Sequence, residues 1–319
     1  MKPERILVLR GGAIGDFVLT LPVLSALRAH YSSAPVAVLG RAHVVPLALA
    51  GGLAEEVRSV EDRRLTGFFT RGGPLDPEWT AFFSGCALVV SYLHDPEGIF
   101  RENLRRCSQA RILQGPPRPD ESQPVHATDV YLRPLEALGI LDADPVPRLS
   151  IPREIPSRAG SAAASPRTLA LHPGSGSQRK NWPDDRWAEL IGLLLEDSDS
   201  HLLLVGGEAE GDRVQRLATA HPASRVERAE HLPLVELARR LSGCAVLVGH
   251  DSGISHLAAA LGLPGVALWG DSVEAVWRPR SDQWLVLRDP AGLAALPVSR
   301  VLAAVEALLA RTAPGPGPH

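Results

Sequence analysis

From Cys244 to Gly270 the chain reads CAVLVGHDSGISHLAAALGLPGVALWG, and this one stretch restricts the fold more than any other. Its two short apolar runs, CAVLVG and GVALWG, have the composition of strands buried on both faces, the mark of a parallel sheet. Between them, Ser252 to Leu261 reads as a short helix. A strand, a tight turn, a helix and a second strand make an α/β crossover unit. The first turn, His250-Asp251-Ser252-Gly253, falls where the carboxyl end of a strand meets the amino end of a helix. Unpaired N–H groups and the positive end of the helix dipole converge there, so the turn is predicted to hold an anion.

The same alternation runs through the chain. RILVLR (5–10) predicts a strand, and GGAIGD (11–16) a turn into a helix reaching about His30, with a kink or late start at Pro22. PVAVLG (35–40), EVRSV (56–60), ALVVSY (87–92) and ARILQG (110–115) predict further strands. Helices are expected over Arg41 to Ala50 and over Thr128 to Leu138, with a loop at GPPRPDESQP (115–124). Residues 151–167, rich in Pro, Ser, Ala and Gly without apolar periodicity, read as a linker. Beyond it the pattern restarts: TLALH (168–172), a helix Asp184 to Glu196, HLLLVGG (201–207), a helix Glu210 to His221, a strand near Arg225 to Arg228 and a helix Leu232 to Leu241. A last helix is expected over Val298 to Arg311, and residues 312–319 as a disordered tail. Two similar doubly wound α/β domains, 1–157 and 158–311, with a cleft between their strand ends, follow from this repetition.

The bulk numbers mainly exclude. A length of 319 residues with 45% hydrophobic and 22% charged residues is ordinary for a two-domain globular chain. A net charge of -3 gives no global signal for nucleic acid. Cys86, Cys107 and Cys244 stand far apart, outside any C-x-x-C pattern, which fits reduced thiols in the cytoplasm and predicts no structural metal. The start, MKPERILVLRGG, is too short in apolar residues for a signal peptide, and no window resembles a membrane span. Peripheral contact with a membrane surface stays open.

Three further turns carry chemistry, each with a plainer alternative. GGAIGD has Gly11, Gly12 and Gly15 but lacks the G-x-G-x-x-G spacing, and the next strand ends in Gly40-Arg41 without a ribose-binding acid, so a nicotinamide site is disfavoured. Asp16 there can act on a ligand or simply cap a helix. HPGSGSQRKNWP (172–183) fails as a P-loop, since Arg179 precedes the lysine and Asn181 follows it, yet it places Ser175, Gly176 and Lys180 after a strand. Such donors and an ammonium suit a diphosphate; a solvated lysine is the alternative. VGGEAEGD (205–212) puts Glu208 and Glu210 at a helix start, either for the dipole or for ribose hydroxyls. His256 reads as a ligand contact or as a buried, hydrogen-bonded histidine. Arg101, Arg105, Arg106, Arg111 and Arg118, against Glu102 and Asp120, face an anionic acceptor or form a solvated surface.

Together, LRGGAIGDFVLTLPVLSALR, HPGSGSQRKNWP, VGGEAEGD and VGHDSGISHLAAALGLPGVALWG resemble the family 9 glycosyltransferases, the ADP-heptose:lipopolysaccharide heptosyltransferases and their relatives. The resemblance spans roughly residues 5 to 280. It implies a GT-B fold, two Rossmann-like domains facing across a cleft, with the acceptor bound by the first and the nucleotide sugar by the second. It implies that Asp16 is the catalytic aspartate, with Arg10 and Gly12 on the acceptor side. Ser175, Gly176 and Lys180 match the phosphate loop, Glu210 the ribose-binding glutamate, and Asp251, Ser252, Gly253 and His256 the D-[ST]-G-x-x-H stretch at the donor. Ser252 replaces the commoner threonine, and Gly270-Asp271-Ser272 the usual G-P-T.

The reaction expected from this resemblance is inverting, metal-free glycosyl transfer, with Asp16 as base and with Lys180 and the helix amino end holding the departing nucleoside diphosphate. The expected partners are an ADP-linked sugar and a lipopolysaccharide-core or other glycan acceptor, with no cofactor, no metal and no nucleic acid. The expected location is cytoplasmic, with peripheral contact at the inner membrane surface compatible with it. A nucleotide-sugar-binding protein without transfer activity, or a family 9 transferase with another donor sugar, is the alternative.

Overall fold

The computed structural model describes residues 5–152, 167–177, 180–196, 199–207 and 212–312. The chain divides into two compact units, Met1–Ser150 and Ile151–His319. The first contains β1 (Arg5–Arg10), α1 (Ile14–Val18), α2 (Leu21–His30), β2 (Val36–Gly40), α3 (Pro46–Ala50), β3 (Glu56–Ser59), α4 (Pro77–Ser84), β4 (Cys86–Ser91), α5 (Ile99–Arg105), β5 (Arg111–Gln114) and α6 (Ala127–Leu132). Its five strands are parallel, in the order β3-β2-β1-β4-β5, with Ile6 opposite Val36 on one side and Leu88 on the other. Strand order reverses at β1, so a crevice opens at its carboxyl end, where Arg10 leads into the glycine turn. Trp79, Phe82 and Phe83 of α4, with Phe68 and Phe100, join the buried core cluster that includes Leu7, Leu9 and Val89 of the sheet.

The second unit contains β6 (Thr168–Leu171), α7 (Asp184–Glu196), β7 (His201–Gly206), α8 (Arg213–Thr219), β8 (Val226–Glu230), α9 (Leu234–Ser242), β9 (Val246–His250), α10 (Gly253–Ala260), β10 (Gly265–Leu268), α11 (Glu274–Trp277), β11 (Trp284–Leu287) and α12 (Val298–Thr312). Its six parallel strands run β11-β10-β9-β6-β7-β8, with Leu169 between Leu202 and Val246. Here the order reverses between β6 and β9. Helix α9 buries Leu234, Leu237, Ala238 and Leu241, the i, i+3, i+4, i+7 face that a helix on a sheet must cover. Trp182 and Trp187 are fully buried, and the Trp182 indole donates to the Leu296 carbonyl at 3.1 Å.

Most strands fall where the apolar runs place them, while several helices differ for identifiable reasons. The expected helix through Pro22 is two, α1 and α2, with the proline in the first turn of the second, where its missing N–H costs nothing. Over Arg41 to Ala50 only Pro46–Ala50 is α-helical, again starting at a proline. The stretch Thr128 to Leu138 is α6 followed by a 3-10 helix, Arg133–Leu138, with Pro134 in its first turn. Helices α4, α5 and α11, strand β11 and a 3-10 helix at Arg63–Phe69 were not expected. The start of α4 carries a signal: Asp76, before Pro77, accepts from the Glu78 and Trp79 N–H groups. The expected linker falls largely on residues 153–166, outside the described residues; of the expected tail, 312–319, Thr312 still ends α12 and the rest lies outside the described residues.

Cys86, Cys107 and Cys244 are free, and burial raises all three thiols, Cys86 to about 11 and Cys244 to about 12. Among the described residues no helix is long and apolar enough to cross a membrane.

Candidate functional site

In the second unit β6 and β9 are neighbours at the reversal of strand order, and the loops leaving their carboxyl ends carry most of the predicted donor residues. Lys180 Nζ donates to Asp251 Oδ2 at 2.6 Å. The lysine side chain is 41% exposed and the aspartate 11%, so the ammonium is anchored yet open to solvent. Ser252 is extended and caps α10, its Oγ accepting from the Ser255 N–H, and that Oγ lies 3.3 Å from Nδ1 of buried His172. Gly253 then opens the helix. The first N–H groups of such a helix have no partner within it, which leaves a positive edge beside Lys180.

The other predicted donor residues divide. Ser175 is buried, and its hydroxyl lies 2.9 Å from the Ser177 carbonyl and 2.7 Å from Asn181 Oδ1, so it ties the loop to itself. Gly176 is exposed, and a Cβ there would meet no atom within 4 Å. His256 lies on the buried face of α10, the plainer of its two readings. Glu210, with Glu208, lies outside the described residues.

One residue had no assigned role in the sequence. His250, the last residue of β9, has no exposed surface; its Nε2 accepts from the Trp182 N–H at 2.8 Å and its Nδ1 faces the Gly174 carbonyl at 3.1 Å. Burial pushes this imidazole down to about 3, the Gly174 hydrogen bond opposing only in part. Arg213 adds a further tie, donating to the Pro173 carbonyl at 2.8 Å.

In the first unit the turn after β1 is built around Asp16. The carboxylate sits in the first turn of α1, where Oδ2 accepts from the Ala13 N–H at 3.0 Å, and Oδ1 pairs with Arg10 Nη2 at 3.2 Å. Capping is thus realised, and the side chain is still 26% exposed. Arg10, placed by sequence on the acceptor side, is only 1% exposed in its side chain. Its guanidinium also donates to the carbonyls of Asp16 at 3.1 Å and Pro117 at 2.8 Å, and lies 4.4 Å from the Tyr131 ring centroid. Its guanidinium is thus engaged by the fold itself and holds Asp16 in place. Burial pushes the Tyr131 phenol up to about 12, so the ring beside Arg10 is neutral. Gly12 has φ +95, and a Cβ on it would stand 2.6 Å from Asp16 Oδ2. Only glycine leaves that carboxylate its place.

The five arginines between 101 and 118 are not equivalent. Arg106 donates to the Gly73 carbonyl, Arg111 to the Ala137 carbonyl, and Arg118 to Glu121. Arg101 and Arg105 are exposed on α5. Among the described residues no group of three or more His, Cys, Asp or Glu is placed to hold a metal ion.

A family model, glycosyltransferase family 9 (heptosyltransferase), matches residues 126–294. Lipopolysaccharide heptosyltransferase 1 of Escherichia coli (strain K12) is 38% identical over 91 residues, 28% of this chain and 28% of that protein, so the match spans under a third of its length. The crystal structure of a family 9 glycosyl transferase from Veillonella parvula DSM 2008 superposes with a TM-score of 0.77 at 20% identity, covering 98% of this chain and 99% of that one. The structure of E. coli heptosyltransferase WaaC with ADP gives 0.74 at 21% identity, covering 95% and 99%. At those identities the likeness shows a shared fold, of GT-B type with two parallel sheets. With the family model covering more than half of its length, the chain belongs to glycosyltransferase family 9.

Proposed function

We propose that this chain is an inverting, metal-independent glycosyltransferase that moves a sugar, heptose from ADP-heptose before others, to a lipopolysaccharide-core or related glycan acceptor. The observation that carries the proposal is the partly exposed Lys180 ammonium anchored on Asp251, the residue before the Ser252 cap of α10, at the carboxyl ends of β6 and β9. An exposed ammonium oriented by Asp251 beside the amino end of a helix suits a diphosphate. The second unit takes the donor and the first the acceptor, as the family resemblance implies. No cofactor enters beyond the two substrates. A lipid-linked acceptor would bring the chain to the cytoplasmic face of the inner membrane.

In this reading the Asp16 carboxylate accepts the proton of an acceptor hydroxyl as its oxygen forms a bond to the anomeric carbon. The bond from that carbon to the diphosphate breaks, its electron pair leaves on the phosphate oxygen, and configuration inverts. Lys180 and the α10 N–H groups offset the charge that develops there. Mass spectrometry of products from a panel of nucleotide sugars and extracted glycolipids tests the donor and acceptor. The Asp16→Asn variant is expected to bind ADP normally and to lose about 10²- to 10⁴-fold in turnover. Full turnover would return Asp16 to capping alone. Turnover is expected to survive EDTA, and a strict requirement for a divalent ion would overturn the metal-free step.

One observation favours a second reading, a nucleotide-sugar-binding protein without transfer: both oxygens of Asp16 are already engaged by the protein. An ionised carboxylate has further acceptor capacity, and this one is partly exposed, which keeps the first reading ahead. Tight ADP binding with no product from any acceptor would decide for the second.

A further inference from the structure

We infer that His250 is a positioning residue that sets the loop bearing Ser175, Gly176 and Lys180 against the turn that opens α10; this rests on reading that site as one for a diphosphate.

A buried imidazole has two ring nitrogens and, when neutral, one proton between them. Nε2 faces a backbone N–H and must accept; Nδ1 therefore carries the proton and donates to the Gly174 carbonyl. One ring thus grips the loop on both sides, at Gly174 before Ser175 and at Trp182 after Lys180. The ring is fixed in turn, being the end of β9 and packed edge-on against Trp187 of α7, with centroids 5.6 Å apart. Lys180 stands two residues before the Trp182 anchor, and Asp251 follows His250 directly. The ion pair between them is therefore held from both ends through one ring. Lys180 itself is 41% exposed, so its ion pair alone is a weak restraint on the loop.

No side chain of similar shape without hydrogen-bonding atoms can replace this. His250→Phe fills the volume but leaves the Gly174 carbonyl and the Trp182 N–H buried without their partner, and the loop is expected to leave its position to recover hydration. His250→Gln offers one amide donor and one amide acceptor and can restore both ties.

The test uses the full chain, with ADP as the ligand, titration calorimetry for affinity and amide hydrogen exchange without ligand for the loop. The Phe variant is expected to bind ADP at least about tenfold more weakly, with exchange accelerated at Trp182, whose N–H the ring holds, but not in β7 or β10. The Gln variant is expected to stay within about threefold of the parent. A folded Phe variant with parental affinity and parental exchange at the Trp182 amide overturns the inference, as does a Gln variant that fares no better than Phe. Should the Phe variant not fold, His250→Asn, whose shorter amide reaches Gly174 but not Trp182, takes its place with the same two outcomes. If the parent binds no ADP, the diphosphate reading fails by itself. The exchange data then judge whether His250 holds the loop, and unchanged exchange overturns that too.

Discussion

In the first unit, the turn after the central strand carries a carboxylate, Asp16, held by the buried guanidinium of Arg10; in the second, the turn after β6 carries an ammonium, Lys180, paired with Asp251 beside the buried imidazole of His250. Both turns lie where strand order reverses in a parallel sheet, the place where such folds bind ligands. What differs is the buried partner. Arg10 is permanently charged and is surrounded by a carboxylate, two carbonyls and a tyrosine face. His250 is buried neutral. The first turn is therefore secured by charge, and the second by a proton in a fixed place.

The largest effect should come from removing the charge that secures the first turn. Arg10→Met leaves the Pro117 carbonyl and the Asp16 carboxylate without their shared donor, and the expected loss is about 3 kcal/mol in urea unfolding. Lys180→Met, at a pair that is nearly half exposed on one side, should cost less than about 1 kcal/mol. Equal losses would erase the contrast between the turns.

Next in size is a response to acid that belongs to the second turn. His250 is held at about 3 in the folded chain against 6.5 ordinarily. Above 6.5 neither state binds the proton, so stability is full; below it the unfolded chain takes up a proton that the folded chain refuses. Stability therefore falls as pH drops from 6.5 towards 3. Between about pH 6.5 and 5, above the usual carboxylate range, this amounts to about 2 kcal/mol. The groups facing the ring are His172, Arg213 and Asp251, of which only Asp251 favours the charged form. Urea unfolding of the parent and of His250→Gln at both pH values isolates the contribution. An identical pH slope in the two proteins would show that the imidazole titrates as if exposed.

The legibility of these features from sequence follows their range along the chain. Strands such as β1 and β9 announce themselves because both faces are buried, giving uninterrupted apolar runs. Asp16, Lys180 and Asp251 stand out as candidates because they lie at the carboxyl ends of strands beside glycines, where such folds bind ligands. The short elements between Arg63 and Ser84 are not: the 3-10 segment has no helical period, and α4 is only eight residues long. The securing partners are equally hidden. Arg10 reaches Pro117 across 107 positions and His250 reaches Trp182 across 68, distances over which no local pattern operates. That Arg10 braces Asp16 follows from its burial, and burial is a property of the fold.

A smaller effect should separate the two glycines of these turns. Gly12→Ala forces a residue at φ +95 to carry a Cβ and pushes it against Asp16, with an expected cost of about 1–2 kcal/mol and a matching fall in turnover. The product assay and urea unfolding read both; an unchanged protein would mean that the carboxylate can move aside freely.

Gly176→Ala is the finest discriminator. The added methyl meets no protein atom within 4 Å, and Gly176 is not at positive φ, so folding stability should change by less than about 0.5 kcal/mol. Protein packing alone gives no reason for glycine at this position. If a diphosphate lies against the loop backbone there, the methyl stands between them, and ADP should bind several-fold more weakly with the melting curve unmoved. Calorimetry against a thermal melt reads the two quantities separately. An Ala variant with parental ADP affinity would place the phosphates away from Gly176, leaving Lys180 and the amino end of α10 as the surface that receives them.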